Sequence, residues 1–199
     1  MMLKPFFDQH KIEAGCDEAG RGCLAGPVFA AAVILDPQQP IAGLNDSKKI
    51  TESTRNALRI EIESKALAWS VAQLDNKEID KINILKASIY SMHNAVLGLK
   101  IKPELLLIDG NRFYPLATYA HECIVKGDAK FQSIAAASIL AKTYRDEWME
   151  NAHLNFPQYA WNQNKGYPTK AHREAIQKYG PTPLHRMSFR LLPEQMSLF

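Results

Sequence analysis

"IEAGCDEAGRGCLAGPVFAAAVILD" (residues 12–36) contains two apolar runs, "IEAGCDEAG" and "GPVFAAAVILD", with a short glycine-containing connection between them. Each run has strand length and is bounded by turn-forming residues, so the stretch predicts a β-hairpin. A third strand is predicted from Leu67 to Leu74. Before it, "TESTRNALRIEIESKAL" predicts a helix, because Thr51 suits an N-cap and Leu58, Ile62 and Ala66 recur at helical spacing. "NILKASIYSMHNAVLGLK" (83–100) predicts a second helix, which Pro103 breaks before the strand "ELLLIDG" (104–110). "YAHECIVKGD" (119–128) reads as a further strand, and residues 131–155 follow a helical pattern. Beyond Pro157 one short helix lies between loops. Strands alternating with helices, entered through a hairpin, give an α/β fold with a mixed central sheet flanked by helices and a C-terminal helical extension. The expected divisions are a main domain over 1–155, a basic extension over 156–192 and a tail over 193–199.

With 199 residues, 46% hydrophobic and 23% charged, the composition is that of an ordinary globular protein with a full core. The apolar stretch "GPVFAAAVIL" is too short to span a bilayer, and "MMLKPFFDQH" lacks the basic-then-apolar layout of a secretory signal, so a cytoplasmic protein is expected. The three cysteines, Cys16, Cys23 and Cys123, have no Cys-x-x-Cys spacing. They are expected as buried reduced thiols rather than as a disulfide framework or a thiolate zinc site.

The net charge of +3 names no partner, but its distribution is uneven. Lys165, Lys170, Arg173, Lys178, Arg186 and Arg190 stand against Glu174 alone, a basic surface that is either a solvated face or a nucleic-acid contact. Acids, in contrast, follow apolar runs three times, at Asp17-Glu18, Asp109 and Asp128. In an open α/β sheet, neighbouring strand ends converge on one crevice, so these carboxylates are expected to meet. Clustered carboxylates repel one another unless a hard cation such as Mg²⁺ or Mn²⁺ compensates. Adjacent strand residues point to opposite faces, so Asp17 and Glu18 serve together only if the strand bends or ends between them, which Gly20 and Gly22 permit. Taken singly, each Asp-Gly or Gly-Asp pair is also plain turn chemistry.

"DEAGRGCLAGPV", "LNDSKKI", "EIDKINILKAS", "LLLIDGN", "IVKGDAK", "AAASILAKTYRDEWM", "NKGYPTKAH" and "HRMSF" together, in that order, resemble bacterial type 2 ribonuclease H, the ribonuclease HII family, over nearly the whole chain. The resemblance implies a ribonuclease H-like fold over 1–155 and four acidic metal ligands, Asp17, Glu18, Asp109 and Asp128. It further implies a loop of Gly20, Arg21 and Gly22 that senses the ribose 2′-hydroxyl, and a tyrosine, Tyr167, that packs on the deoxyribose across the RNA–DNA junction. The implied reaction is hydrolysis of the RNA strand of RNA–DNA hybrids, and nicking 5′ to ribonucleotides embedded in duplex DNA, with 3′-hydroxyl and 5′-phosphate products. Roles in replication and ribonucleotide excision repair go with it. Three positions depart from the family pattern: Cys23 replaces a usual proline, Met187 a frequent basic residue and Asn164 a frequent histidine.

The residues suit that chemistry. Phosphodiester hydrolysis needs an in-line hydroxide and a stabilised leaving oxygen, which two carboxylate-held cations supply together. The six histidines show no metal-ligand spacing. Glycines let backbone approach a sugar, and Arg21 offers a phosphate fork. A non-catalytic module that only binds RNA–DNA hybrid is the alternative, but it has no use for acids that repel phosphate. Other residues read two ways. Ser47 and Lys48, in "DSKK", either bind backbone phosphate or serve the start of a helix; His172 and His185 are either phosphate contacts or partly exposed histidines; Lys142 and Asp146 pair along a helix. Gln195 to Phe199, "QMSLF", either docks on its own domain or acts as the short peptide with which bacterial replication and repair proteins bind the sliding clamp.

Overall fold

The computed structural model of the chain describes residues 3–47 and 49–192. Strand β1 (Glu13–Ala19) and strand β2 (Val28–Ile34) form the expected hairpin, in antiparallel register from Gly15↔Val33 to Ala19↔Phe29. Helix α1 (Glu52–Lys65) is capped by Thr51, whose hydroxyl accepts the Thr54 amide, and leads into β3 (Ala68–Leu74), antiparallel to β2. A helix that the periodicity did not announce, α2 (Asn76–Ile82), comes next. Its seven residues are too few for a helical stripe to be read, and Asn83, at φ 70, separates it from α3 (Ile84–Leu97). Strands β4 (Leu105–Asp109) and β5 (Ala120–Ile124) join β1 in parallel, giving the sheet order β3-β2-β1-β4-β5. This is the mixed five-stranded sheet expected of the α/β fold.

The long helix α4 (Gln132–Asn155) covers one face of the sheet. Its alanines 135, 136, 137 and 141 pack with Ala31, Val33 and Ile62, all fully buried. Small residues let helix and sheet approach closely, and at Gly15 an added Cβ would lie 2.2 Å from the Ser133 carbonyl carbon. Helix α3 covers the opposite face, where Ile89, Met92 and Val96 meet Cys16, Ala32, Leu106 and Ile108. Two short turns of helix, including α5 (Trp161–Asn164), and then α6 (Lys170–Tyr179) complete the C-terminal extension.

Two expectations need correction. The last strand ends at Ile124, not at Asp128: Lys126 takes a left-handed conformation, φ 56, and turns the chain into a 3-10 turn over Gly127–Ala129 that carries Asp128. Cys123 is exposed rather than buried, because β5 is the edge strand and most of its residues face outward, while Cys16 and Cys23 are buried thiols as expected. Among the described residues no helix is long and apolar enough to cross a membrane.

Candidate active site

Asp17 sits inside the hairpin rather than at its end. Strand β1 runs on through Ala19, with Asp17 directly across from Ala31, which packs under α4, and Glu18 from Ala30, which packs under α3. The expected end of the strand between the two acids is absent, yet the Glu18 charge still acts on Asp17, so the two carboxyls interact without it. The parallel register Cys16↔Ile108 sets Asp17 and Asp109 at adjacent positions on neighbouring strands. Burial, then the charges of Glu18 and Asp109, push the Asp17 carboxyl well above the ordinary carboxylate range; the Ser138 hydroxyl and the Glu18 amide, which donates at 2.7 Å, oppose this. Asp109 is anchored by the Gly127 amide, which donates to its Oδ1 at 2.7 Å. Through that bond the turn carrying buried Asp128 is tied to the end of β4. The charges of Glu18 and Asp109 therefore both act on Asp17, and the turn that carries Asp128 is bonded to Asp109 through its first residue, Gly127. The set is all hard oxygen and self-repelling, the donor chemistry that suits Mg²⁺ or Mn²⁺. Among the described residues no three His, Cys, Asp or Glu side chains are already drawn into a cage, so an ion would have to gather the carboxylates.

Glu18 and Arg21 lie where two clefts meet. One, of about 320 Å³, also takes in Asp109, Gly110 and Arg112. The other, of about 580 Å³, is lined by Gly20, Gly22, Arg55, Lys142 and Tyr167. Arg21 Nη1 is 3.1 Å from Oε1 of the largely buried Glu18, while the arginine itself is half-exposed, so its guanidinium has solvent-facing donors for another anion. Gly22 has nothing within 4 Å of a notional Cβ, so its backbone faces open space. Ser47 is buried with its hydroxyl 2.9 Å from that of Ser138, which in turn reaches Asp17. Lys48 lies outside the described residues, as does the tail Gln195–Phe199.

The profile of the ribonuclease HII family matches residues 14–192. The chain belongs to the ribonuclease HII family. It is therefore a ribonuclease H, an enzyme acting on RNA–DNA hybrids. The ribonuclease HII of Parabacteroides distasonis is 59% identical over 197 residues, 99% of each chain. Among solved structures, ribonuclease H2 from Pyrococcus horikoshii is similar with a TM-score of 0.74 at 27% identity, covering 90% of this chain and 94% of that one. Ribonuclease HII from Archaeoglobus fulgidus, solved in a complex with PCNA, has a TM-score of 0.78 at 24% identity, covering 94% and 100%.

In this ribonuclease HII fold the basic segment is partly internal. Lys165 pairs with Glu150 at 2.5 Å, and Arg186 is fully buried, donating to the carbonyls of Gly26, Arg21 and Pro27. Arg173 donates to the carbonyls of Arg190 and Leu191. His172 and His185 are fully buried against Trp161 and Tyr159, so neither is a phosphate contact nor a partly exposed side chain; a short helix folded over aromatics encloses them. Lys142 and Asp146 pair as expected, yet Lys142 also lines the larger cleft, as does Arg55. Neither was singled out as a substrate contact, since one basic residue per helical turn looks like ordinary solvated helix. Arg145 was missed altogether: buried, it donates to the carbonyls of Pro27, Lys165 and Ala25, and its guanidinium lies 5.8 Å from the Tyr167 ring centre.

Proposed function

We propose that this ribonuclease H nicks 5′ to ribonucleotides embedded in duplex DNA, as well as cutting the RNA of hybrids, and leaves 3′-hydroxyl and 5′-phosphate ends. The observation that carries the reading is the junction at Glu18 and Arg21: the acids around buried Asp17 border a cleft lined by three cations, Arg21, Arg55 and Lys142, together with Ser47, Ser138 and Tyr167. Asp17, Glu18, Asp109 and Asp128 would hold two Mg²⁺ or Mn²⁺ ions, which when bound supply an activated water and charge stabilisation of the leaving oxygen. Around them Arg21, Arg55 and Lys142 attract the phosphates on either side of the cut. The open backbone at Gly22 gives a ribose 2′-hydroxyl room to approach main-chain groups, the contact that separates RNA from DNA. Tyr167, half-buried beside Arg145, presents a ring for the sugar on the far side of the junction.

A module that only binds hybrid would keep the cationic cleft, but a buried carboxylate beside two others works against phosphate binding and gives such a module nothing. For the tail, the support is sequence alone together with the PCNA-bound Archaeoglobus fulgidus relative: we infer that Gln195 to Phe199 recruits the enzyme to a sliding clamp. The deciding assay uses duplex DNA with one ribonucleotide, in Mg²⁺, in Mn²⁺ and in EDTA. Metal-dependent nicking on the 5′ side is expected, with Asp17→Asn and Asp109→Asn binding the duplex but not cutting it. Parental turnover by Asp109→Asn would remove the metal-site assignment.

A further inference from the structure

His172, on α6, and His185, in the turn beyond it, bring their Nε2 atoms to 3.2 Å of each other inside the extension. Two neutral imidazoles hold such a contact only when one nitrogen carries the proton and the other does not, and their outer partners decide which. His185 Nδ1 receives the Thr182 backbone N–H at 2.8 Å, so it is bare and the His185 proton is on Nε2. His172 Nδ1 is 2.9 Å from the Tyr167 carbonyl oxygen, which can only accept, so the His172 proton is on Nδ1. His172 Nε2 is then a bare acceptor for His185 and for the Trp161 indole N–H at 3.0 Å. Every bond in the chain Thr182, His185, His172, Tyr167 points the same way. A second proton on the pair would set two N–H groups head to head; burial and mutual repulsion hold His185 down at about 4 and burial holds His172 below the ordinary histidine range.

The end of this chain is the backbone of Tyr167. Its carbonyl also accepts the Thr169 amide at 2.8 Å, and its own amide donates to the Asn164 carbonyl at 2.9 Å. Gly166, at φ 79, precedes it and Pro168 follows, so the peptide between them is set by these few bonds rather than by a regular element.

We propose that His172, locked as the Nδ1–H tautomer by His185 and Trp161, is a positioning residue that fixes the Tyr167 ring for the substrate sugar. The proposal rests on the reading of Tyr167 as a substrate contact. An asparagine places its amide N–H where Nδ1 lies, whereas a glutamine places it where Nε2 lies. His172→Asn keeps the donor to the Tyr167 carbonyl but loses the acceptor for His185 and Trp161, so it is expected to melt below the parent and still keep a near-parental KM on a singly ribonucleotide-substituted duplex. His172→Gln should raise KM by about five- to tenfold, the value of one neutral hydrogen bond, with little change in kcat. In a Tyr167→Ala background, His172→Gln should cost nothing further. Equal losses for the two His172 variants, or additive losses in the double variant, would overturn the proposal. Tyr167→Ala acting as well as the parent would instead overturn the reading of Tyr167 and leave the tautomer intact. Nitrogen-15 imidazole spectra of the unmodified protein decide the tautomer independently of any variant: a neutral Nδ1–H ring at His172 is expected, and an Nε2–H ring or an imidazolium at neutral pH would end the proposal.

Discussion

Asp17 is held in a place that costs stability at neutral pH. Its carboxyl is buried between the charges of Glu18 and Asp109, which raises its pKa in the folded chain above the unfolded value near 3.8. An acid raised in this way binds its proton more tightly when folded, so the folded state gains from it at low pH and loses that gain as pH rises from about 3.8 through the elevated value. At neutral pH without a cation the ionised cluster is therefore a liability. Asp17→Asn keeps an oxygen for the Glu18 amide and removes the charge. In EDTA it should melt above the parent, by about 2–4 °C for each kcal/mol relieved at this chain length, and Mg²⁺ should raise the parent while leaving the variant nearly unmoved. Calorimetry in both buffers checks this; a variant that melts lower in EDTA would show that Asp17 is structural. This acid could be read from the sequence because three acids following apolar runs are improbable as turns alone. That it lies within a strand could not, because Ala19 continues the ladder to Phe29 where glycine follows and an ending was expected.

Glycines show how local sequence and element packing separate. Gly22 drew notice for its place beside Arg21, and the structure leaves it in open space with ordinary backbone angles. Gly15 drew none, yet it sets how closely β1 meets α4, since a Cβ there would lie 2.2 Å from the Ser133 carbonyl carbon and 2.3 Å from the Ile134 nitrogen. Backbone in the first turn of a helix cannot yield as a side-chain tip can. Gly15→Ala should therefore lose about 1–3 kcal/mol or more, as overpacking does, and lower the denaturation midpoint with an unchanged m-value. Gly22→Ala should change stability by under about 0.5 kcal/mol and instead weaken selection of ribonucleotide over deoxyribonucleotide duplexes. Urea melts and paired cleavage assays would show the two effects exchanged if the assignments were wrong. Helices and strands were legible here because their patterns extend over many residues; α2 was not, with only seven, nor was the turn at Lys126 that moves Asp128 off its strand.

At the scale of the whole molecule, the extension is joined to the sheet by guanidiniums whose hydrogen bonds go to backbone carbonyls. Arg145 and Arg186 are both fully buried, and their guanidiniums bond to carbonyls of the connection between β1 and β2 and of Lys165. Buried guanidiniums are tolerated only when their donors are satisfied, so removing one side of this joint strands charge on the other. From sequence Arg186 reads as part of a basic surface, and Arg145, followed directly by Asp146 and Glu147, looks like one more residue of a charged helix face. Helix α2 adds a second tie: Asn76 donates to the carbonyls of Pro183 and His185, and Asp80 accepts the amides of Met187 and Ser188. Leu24, Ala25 and Met149 of the main domain share one core with Tyr159, Trp161, Ile176 and Leu191 of the extension. At about 1.5–3 kcal/mol for each large apolar side chain buried, that core alone is comparable with the 5–15 kcal/mol by which a typical protein is stable. A chain cut after Asn155 should therefore fail to fold rather than fold without its C-terminal helices, and the intact protein should unfold in one calorimetric transition. A chain cut after Leu192 keeps every one of these contacts and should retain the parental melting temperature and full cleavage of short duplexes. Two resolved transitions in the intact protein, or cooperative unfolding of residues 1–155 alone, would mean that the arginine joint and the shared core do not make one unit.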